Sequence, residues 1–454
     1  MSTLRKTAGI ITGLGILATG FTPVDAEPMR NNPPNILVIF VDDLGCGDIS
    51  FLGATDVKTP NIDKLFHSGI TFRNFYANSC VCSPSRAALL TGRYPDMVGV
   101  PGVIRTKATN SWGYFHSNGP ILPEVLQRVG YHTALIGKWH LGLESPNTPN
   151  ECGFQYFHGF LGDMMDDYYT HLRHGFNYMR QNQEPITAEG HATDIFTDWA
   201  IQYLTSQVNN SQPFFMLLAY NAPHTPVQPP AEWLSKVKKR LPGIPELRAK
   251  YIASVEHLDN DIGRVLETLR KNNQEKNTLI IFTSDNGGQL SVGASNGNCR
   301  GGKQDFYEGG IHVPACMVWP RYIMAGRSSD NIALTMDIFP TLSQAAGLSI
   351  YHQVDGISLL PTLLGKPQDT GYRTIFWMRR EGGTYGGNCY YAVRYREYKL
   401  VQNSPYDSTQ LFNLNTDKQE RLPLDKHSEV YQHLFNALSE HIHNSGSVAW
   451  QKPQ

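Results

Sequence analysis

The sequence has almost no net charge, because 39 lysine and arginine residues face 40 aspartate and glutamate residues in a chain of 454. A protein that binds the phosphate backbone of a nucleic acid normally carries a clear excess of basic residues. The charge balance therefore argues against a nucleic-acid partner. Any anionic substrate must be attracted by a few local cations.

Cysteine is also scarce, and the cysteines form no C-x-x-C pair. A chain of this length buries enough apolar surface to be stable without disulfides. We therefore expect mostly reduced or partly buried thiols. The cysteines are Cys46, Cys80, Cys82, Cys152, Cys299, Cys316 and Cys389.

Long apolar runs are missing after the N-terminus. Residues 1–26 contain Arg5 and Lys6, then a mostly apolar run, then Val24-Asp25-Ala26, which is typical of a cleavable secretory signal peptide. The apolar run is too short and too rich in glycine for a membrane span, and no later segment is long and uncharged enough. This pattern predicts a soluble mature protein without a transmembrane span, secreted or periplasmic.

The most distinctive stretch, residues 80–93, reads CVCSPSRAALLTGR. Pro84 fixes one φ angle, and residues 87–90 strongly favour a helix, so Cys82 should lie close to a helix N-terminus. The free N–H groups there favour anions. A buried structural cysteine is the alternative, but an ordinary core thiol needs no Pro-Ser-Arg beside it.

Short apolar runs alternate with helical patterns, which indicates an α/β fold. The runs at 35–41, 131–136, 214–220 and 278–283 each end directly in polar residues, and residues 252–269 form a helix with one apolar face. Open α/β sheets bind ligands at the carboxyl ends of their strands. The sequence therefore predicts a mostly parallel sheet with a site at that edge.

The pattern changes beyond about residue 370. Residues 374–378, 389–395, 399–402 and 410–414 are typical of short strands, and residues 428–443 of an amphipathic helix. This predicts a small antiparallel sheet with a packed helix.

Carboxylates and an amide follow two of the predicted strands, as Asp42-Asp43 and Asp285-Asn286. These are hard oxygen ligands without the histidine or cysteine that zinc favours, so calcium is the expected metal. Either pair alone is also typical of a solvated strand end or a turn.

The stretch from Cys82 to Arg93 resembles the C-x-P-S-R-x-x-x-L-T-G-R signature of the sulfatase family, without a gap. V-D-D-L-G at 41–45 and S-D-N-G at 284–287 resemble its metal-binding patterns. The blocks at 137–142, 223–226, 301–303 and 308–310 resemble its remaining motifs, in the family's order.

The resemblance implies a type I sulfatase, a sulfuric ester hydrolase of the alkaline-phosphatase-like superfamily. It implies a large α/β/α sandwich at 27–370 and a smaller α+β subdomain at 371–454. In that family a maturing enzyme, which generates formylglycine, converts the signature cysteine, so Cys82 would be modified and its oxygen would complete the calcium shell of Asp42, Asp43, Asp285 and Asn286.

The catalytic roles follow from the same resemblance. Fixed cations stabilise the charge that develops as an S–O bond breaks, so Lys138 and Lys303 are expected to clamp the sulfate and Arg86 to hold the hydrated aldehyde and the carboxylates. Asp285 would take a proton from the attacking hydroxyl, His140 would deprotonate the second hydroxyl, and His224 would protonate the leaving oxygen.

One departure and two alternatives remain open. Gln304 stands where a glycine often follows the lysine in the family. A phosphoester hydrolase of the same fold would normally replace Cys82 by serine or threonine and bind two transition metals partly through histidine. A catalytically silent glycan-binding protein would keep the pocket but leave Cys82 unconverted.

The substrate is predicted from residues 163–174, DMMDDYYTHLRH, which match no common family block. Carboxylates and imidazoles bind vicinal hydroxyls, and aromatic faces cover the apolar side of a sugar. We expect Asp166, His171, Arg173 and His174 to bind a sulfated glycan, with galactose or N-acetylgalactosamine sulfates ahead of small aryl sulfates. A solvated insertion in which the tyrosines pack is the alternative.

Overall fold

The computed structural model describes residues 32–453, so the predicted signal peptide at 1–26 lies outside the described residues. The strands are β1 (Asn35–Val41), β2 (Ile70–Tyr76), β3 (His132–Lys138), β4 (Tyr156–Phe160), β5 (Leu172–Arg173), β6 (Phe176–Asn177), β7 (Met179–Gln181), β8 (Glu184–Pro185), β9 (Phe214–Ala219), β10 (Thr278–Ser284), β11 (Ala315–Val318), β12 (Arg327–Leu334), β13 (Thr374–Arg380), β14 (Cys389–Tyr395), β15 (Tyr398–Gln402) and β16 (Gln410–Asn413).

The α-helices are α1 (Pro60–Ser68), α2 (Cys82–Thr91), α3 (Leu122–Gln127), α4 (Ala192–Ser206), α5 (Ala231–Arg240), α6 (Glu246–Lys271), α7 (Glu308–Ile311), α8 (Ile338–Ala345), α9 (Leu360–Leu363) and α10 (Glu429–Ser445).

A ten-stranded sheet forms the centre, in the order β12-β2-β11-β10-β1-β9-β3-β4-β7-β8. Strands β10, β1, β9, β3 and β4 are parallel neighbours, whereas β11 and β7 run against theirs. The predicted mostly parallel sheet is confirmed. Because its strands run in parallel, the carboxyl ends of β1, β3, β9 and β10 meet at one edge.

The continuously apolar sequence of β1 is explained by its position in the centre of the sheet. Alternate side chains of a strand point to opposite faces, and both faces of this sheet are covered. Ile36, Val38 and Phe40 belong to one buried core, whereas Leu37 and Ile39 belong to the other. A strand between two helical layers therefore needs apolar residues at every position.

The two cores correspond to two helical layers. Helices α2, α3 and α8 pack on the first face, and α1, α4 and α6 pack on the second. The apolar face predicted at 252–269 lies within α6, where Ile252, Val255 and Ile262 are fully buried. The predicted α/β/α sandwich is therefore confirmed.

A four-stranded antiparallel sheet, β13-β14-β15-β16, follows as predicted. Trp377 and Tyr390 on one of its faces pack against the large sandwich, and Val393 and Leu400 on the other face pack under Leu434 of α10. The Trp377 indole also donates a hydrogen bond to the Ala77 carbonyl at 2.8 Å. The subdomain therefore packs against the loop that leads to α2. The proposed boundary at residue 370 stays a prediction.

All seven cysteines fall in the described part of the chain, and each is a free thiol there. Among residues 32–453, no helix has the length and apolar character required to cross a bilayer.

Candidate active site

The acidic residues of two strand ends meet because β1 and β10 are paired in register, with Val41 opposite Ser284. The Asp43 backbone N–H donates to Asp285 Oδ1 at 3.2 Å, and Asn286 Nδ2 donates to Asp43 Oδ1 at 2.7 Å. Asp43 has a left-handed φ of 67°. The two pairs predicted from sequence therefore form one buried cluster.

Cys82 is the first residue of α2, and Val81 precedes it as an N-cap without a side-chain cap. Its Sγ lies 3.3 Å from Asp42 Oδ1. Burial raises the pKa of the Cys82 thiol well above its usual range, and the Asp42 carboxylate raises it further. An unmodified Cys82 therefore stays a thiol, and a thiol is a poor nucleophile.

Arg86 lies one turn along α2 and connects three parts of the site. One guanidinium nitrogen lies 2.8 Å from Asp285 Oδ2 and 3.6 Å from Asp42 Oδ2, and another donates to the Lys138 carbonyl at 3.2 Å. Burial opposes the charge of Arg86, but Asp285 and Asp42 outweigh it and raise the pKa of Arg86. The residue is thus a fixed positive charge behind the carboxylates.

Lys138 is the last residue of β3, and its fully buried ammonium lies 2.5 Å from Asp42 Oδ2. Burial alone would raise the pKa of Asp42. The charges of Lys138, Arg86 and Lys303 outweigh burial and hold the pKa of Asp42 well below its usual range.

Lys303 and His224 both approach the second carboxylate. Lys303 Nζ lies 2.8 Å from Asp43 Oδ2, and His224 Nε2 lies 3.7 Å from the same oxygen. His224 Nδ1 is 2.6 Å from the Thr225 carbonyl, so Nδ1 carries a proton and Nε2 faces the site. Burial and then the Lys303 charge lower the pKa of His224 to about 4.

His140 adopts a φ of 62° two residues beyond β3. Its Nε2 lies 2.7 Å from the Ile104 carbonyl and donates to it, while Nδ1 is buried without a partner. Burial and then the Lys138 charge keep the pKa of His140 well below its usual range. The ring is therefore neutral, with a free acceptor at Nδ1. Sequence analysis missed Ile104, because a backbone carbonyl carries no sequence signature.

The donor set suits a hard cation. Ligand atoms of Asp42, Asp43, Cys82 and His224 lie within 4.8 Å of one another. Burial and the neighbouring Asp42 raise the pKa of Asp285 to about 7, and Asn286 Oδ1 is buried without a hydrogen bond. Crowded carboxylates and an unpaired amide oxygen are what an oxygen-coordinated divalent cation would satisfy.

The loop at 163–174 packs beside the His224 segment. The buried Tyr168 hydroxyl lies 2.8 Å from the Asn221 carbonyl and 2.9 Å from the His224 carbonyl. The Tyr168 backbone N–H donates a hydrogen bond to Gln228 Oε1 at 2.9 Å. Tyr168 is therefore a packing residue that fixes the loop next to the site.

The predicted sugar-binding residues of this loop have different surroundings. The Arg173 guanidinium lies 2.9 Å from Asp163 and 2.7 Å from Asp166, so its charge is already paired. His171 is buried and its Nε2 lies 3.0 Å from the Gly190 carbonyl, whereas His174 is exposed. His174 and the partly exposed Asp166 are thus the accessible polar groups among these four.

The small subdomain also contacts the site, through hydrogen bonds to Gln304, the residue that follows Lys303. The Gln304 carbonyl accepts a hydrogen bond from the Tyr390 hydroxyl at 2.8 Å and from Arg379 at 3.3 Å. The Gln304 N–H donates to the Cys80 carbonyl at 2.9 Å. Sequence analysis did not find Arg379 or Tyr390, because their contacts join distant segments through backbone atoms.

Comparison with known families agrees with this geometry. The sulfatase family matches residues 34–348, and the C-terminal region of N-sulphoglucosamine sulphohydrolase matches residues 302–446. The N-acetylgalactosamine-6-sulfatase of Mus musculus is 31% identical over 95% of this chain and 88% of its own length. Human (Homo sapiens) steryl-sulfatase is 30% identical over 78% of this chain and 73% of its own length.

A solved structure is similarly close. Ps i-CgsB, determined in complex with k-i-k-neocarrahexaose, superimposes with a TM-score of 0.85 and 31% identity, covering 93% of this chain and 96% of the other. With the acidic strand ends, the cysteine at the helix start and the lysines gathered in one buried cluster, these matches show that the chain belongs to the sulfatase family and is a sulfuric ester hydrolase.

Proposed function

We propose that this sulfatase removes sulfate from a sulfated carbohydrate, by means of a formylglycine made from Cys82 and a bound calcium ion. The observation that carries the proposal is the position of Cys82, at a helix start and 3.3 Å from Asp42. Two relatives support a carbohydrate, since one is named for N-acetylgalactosamine 6-sulfate and another was solved with an oligosaccharide. Galactose-type and N-acetylgalactosamine-type sulfates are therefore our first candidates.

Calcium would be held by Asp42, Asp43, Asp285 and Asn286, together with the modified residue 82. The oxygen-only set and the unpaired Asn286 Oδ1 support this assignment. Formylglycine at position 82 would supply the nucleophilic oxygen of its hydrate, and bound calcium would supply the positive charge that favours ionisation of that oxygen.

The chain's own cations bind the sulfate. The ammonium groups of Lys303 and Lys138 lie on Asp43 and Asp42, the two carboxylates that cluster with Cys82. Fixed cations of this kind stabilise the negative charge that develops on sulfate oxygens as the ester bond breaks. Arg86 keeps Asp285 and Asp42 in place behind them.

The histidines move protons at defined atoms. His140 accepts a proton at Nδ1, because Nε2 already donates to the Ile104 carbonyl. His224 donates from Nε2 to the leaving oxygen, because Nδ1 is held at the Thr225 carbonyl. A bound sulfate ester next to His224 favours its protonated form, which opposes the effect of burial and Lys303.

The loop at 163–174 is our candidate for the sugar side of the pocket. Tyr168 fixes it against His224. Asp166 and His174 are exposed, and the Asp166 carboxylate, which accepts from Arg173 and the His174 N–H, keeps free lone pairs for a sugar hydroxyl. His171 and Arg173 then support the loop from within, through Gly190 and Asp163.

The proposal also includes export and maturation. The signal-like residues 1–26 favour a secreted or periplasmic protein. Conversion of Cys82 requires a partner, a formylglycine-generating or sulfatase-maturing enzyme, that acts on the motif at 82–86.

The test uses the full chain produced together with a sulfatase-maturing enzyme. Peptide mass spectrometry should show a loss of about 18 Da at Cys82, from exchange of sulfur for oxygen with loss of two hydrogens. Galactose and N-acetylgalactosamine sulfates and their oligosaccharides are then compared with a chromogenic aryl sulfate. Cys82→Ala should be inactive, whereas Cys316→Ala, which removes another buried thiol from strand β11, serves as the matched control.

Two results would contradict the proposal. Full activity of Cys82→Ala would reject the nucleophile, and preference for the aryl sulfate over every sugar would reject the carbohydrate assignment. An unconverted but sugar-binding protein would instead indicate a silent glycan-binding role.

A further inference from the structure

Gln304 has a backbone conformation that its side chain does not favour. Its φ is 82°, in the left-handed region that glycine enters freely and other L-residues avoid. Residues kept in such conformations cluster at functional sites. Asp43 and His140, with φ values of 67° and 62°, are two further examples at this site.

The contacts that impose this conformation are made by the backbone. The N–H donates to the Cys80 carbonyl, and the carbonyl accepts from Tyr390 and Arg379. A glycine at position 304 would keep all three hydrogen bonds and remove the conformational conflict. The fold therefore gives no reason for a glutamine here.

The glutamine side chain makes no contact with the described residues that would stabilise the fold. It is exposed, and its carboxamide has no hydrogen-bond partner among the described residues. Residue 304 nevertheless directly follows Lys303, whose ammonium lies on Asp43, and its backbone N–H bonds to Cys80, two residues before the proposed nucleophile position. An unfavourable residue with a free, exposed amide directly after Lys303 points to a ligand contact.

We infer that the Gln304 carboxamide contacts the sugar unit that carries the scissile sulfate, and thereby favours glycan over simple aryl sulfates. This deepens the proposed function and rests on it. A carboxamide offers one acceptor and two donor hydrogens, which match vicinal hydroxyls. It is also uncharged, so it adds no repulsion toward the sulfate held by Lys303.

The experiment measures one ratio, kcat/KM on the best sulfated sugar divided by kcat/KM on an aryl sulfate. Gln304→Gly and Gln304→Ala should each lower this ratio by about tenfold, as expected for the loss of one or two hydrogen bonds. The melting temperature of Gln304→Gly should equal or exceed that of the parent, because glycine relieves the backbone. A residue that served only the fold would show a lower melting temperature and an unchanged ratio.

Asn273→Gly is the matched control. Asn273 is exposed and left-handed, with φ of 56°, and it precedes the amino end of β10, at the edge of the sheet opposite the site. This variant should leave the ratio at the parent value.

The outcomes separate the two proposals. If the parent hydrolyses the sugar and both Gln304 variants keep its ratio, the contact is wrong and the proposed function stands. If the variants lose both activities equally, Gln304 acts on the sulfate, and the inference is overturned. If the parent cleaves only the aryl sulfate, the proposed function fails, and the sugar contact fails with it.

Discussion

Replacing Lys138 by methionine tests how the buried charges of the site depend on one another. The methionine keeps most of the side-chain volume but removes the ammonium that lies 2.5 Å from Asp42 Oδ2. Both partners are fully buried, so Asp42 would keep a charge with less compensation. Removing one member of a buried pair typically costs 3 to 5 kcal/mol, so we expect about 3 kcal/mol here, because Arg86 stays 3.6 Å from the same oxygen.

The same change should slow the reaction. Loss of one fixed group that stabilises a developing anion costs roughly 10² to 10³ in kcat. Lys303→Met is the informative comparison. The Lys303 side chain is 10% exposed, and its partner Asp43 keeps the Asn286 hydrogen bond at 2.7 Å. Lys303→Met should therefore lose a similar factor in activity with a smaller loss of stability.

The assay combines thermal unfolding with steady-state kinetics on one sulfate ester. For a chain of this size, about 3 kcal/mol corresponds to a fall of roughly 3 to 4 °C in melting temperature. Added calcium should reduce the fall, because the cation would supply part of the lost compensation. The reasoning fails if Lys138→Met melts with the parent, or if it retains kcat within tenfold of the parent.

Two further predictions concern the cation and pH. A strong calcium chelator should abolish turnover and lower the melting temperature, and calcium should restore both better than zinc; full activity in the chelator, with elemental analysis showing no metal, would exclude the assignment. Burial raises the pKa of Asp259 from 3.8 to about 6, so the folded state binds its proton more tightly than the unfolded state, and stability is lost as pH rises from about 4 to 6. The loss amounts to up to ~3 kcal/mol, and Asp259→Asn should lack it. If the melting temperatures of parent and variant change with pH by the same amount across that range, the prediction is wrong.

Sequence alone was sufficient for the parts of the fold that repeat a local pattern. The runs at 35–41 and 278–283 became β1 and β10, and their terminal acids meet because parallel neighbours end at one edge. The strand predicted at 131–136 extends to Lys138, so this lysine ends the strand rather than following it. Its ammonium is thereby fixed by the sheet.

The rest depends on contacts between distant segments. Strands β11 and β12 were not predicted. Strand β11 has only four residues, and the edge strand β12 begins with a polar run at 327–331, so neither shows a distinctive periodicity in the sequence. The Ile104 carbonyl sets the tautomer of His140, and Tyr390 holds the turn beside Lys303. A backbone acceptor or a tyrosine hydroxyl has no pattern in the sequence until the fold brings it to its partner.

The charges of the site also explain how a nearly neutral protein can attract an anion. The carboxylates Asp42, Asp43 and Asp285 face the cations Arg86, Lys138 and Lys303 in one buried cluster, so three formal charges of each sign nearly cancel. The histidines add little, because burial keeps their pKa values low. A divalent cation would leave the cluster with an excess of about two positive charges, and a low-dielectric surrounding strengthens their attraction for a sulfate ester. The metal would therefore govern substrate binding as well as the chemical step, and the apparent KM should rise when the free calcium concentration is below saturation.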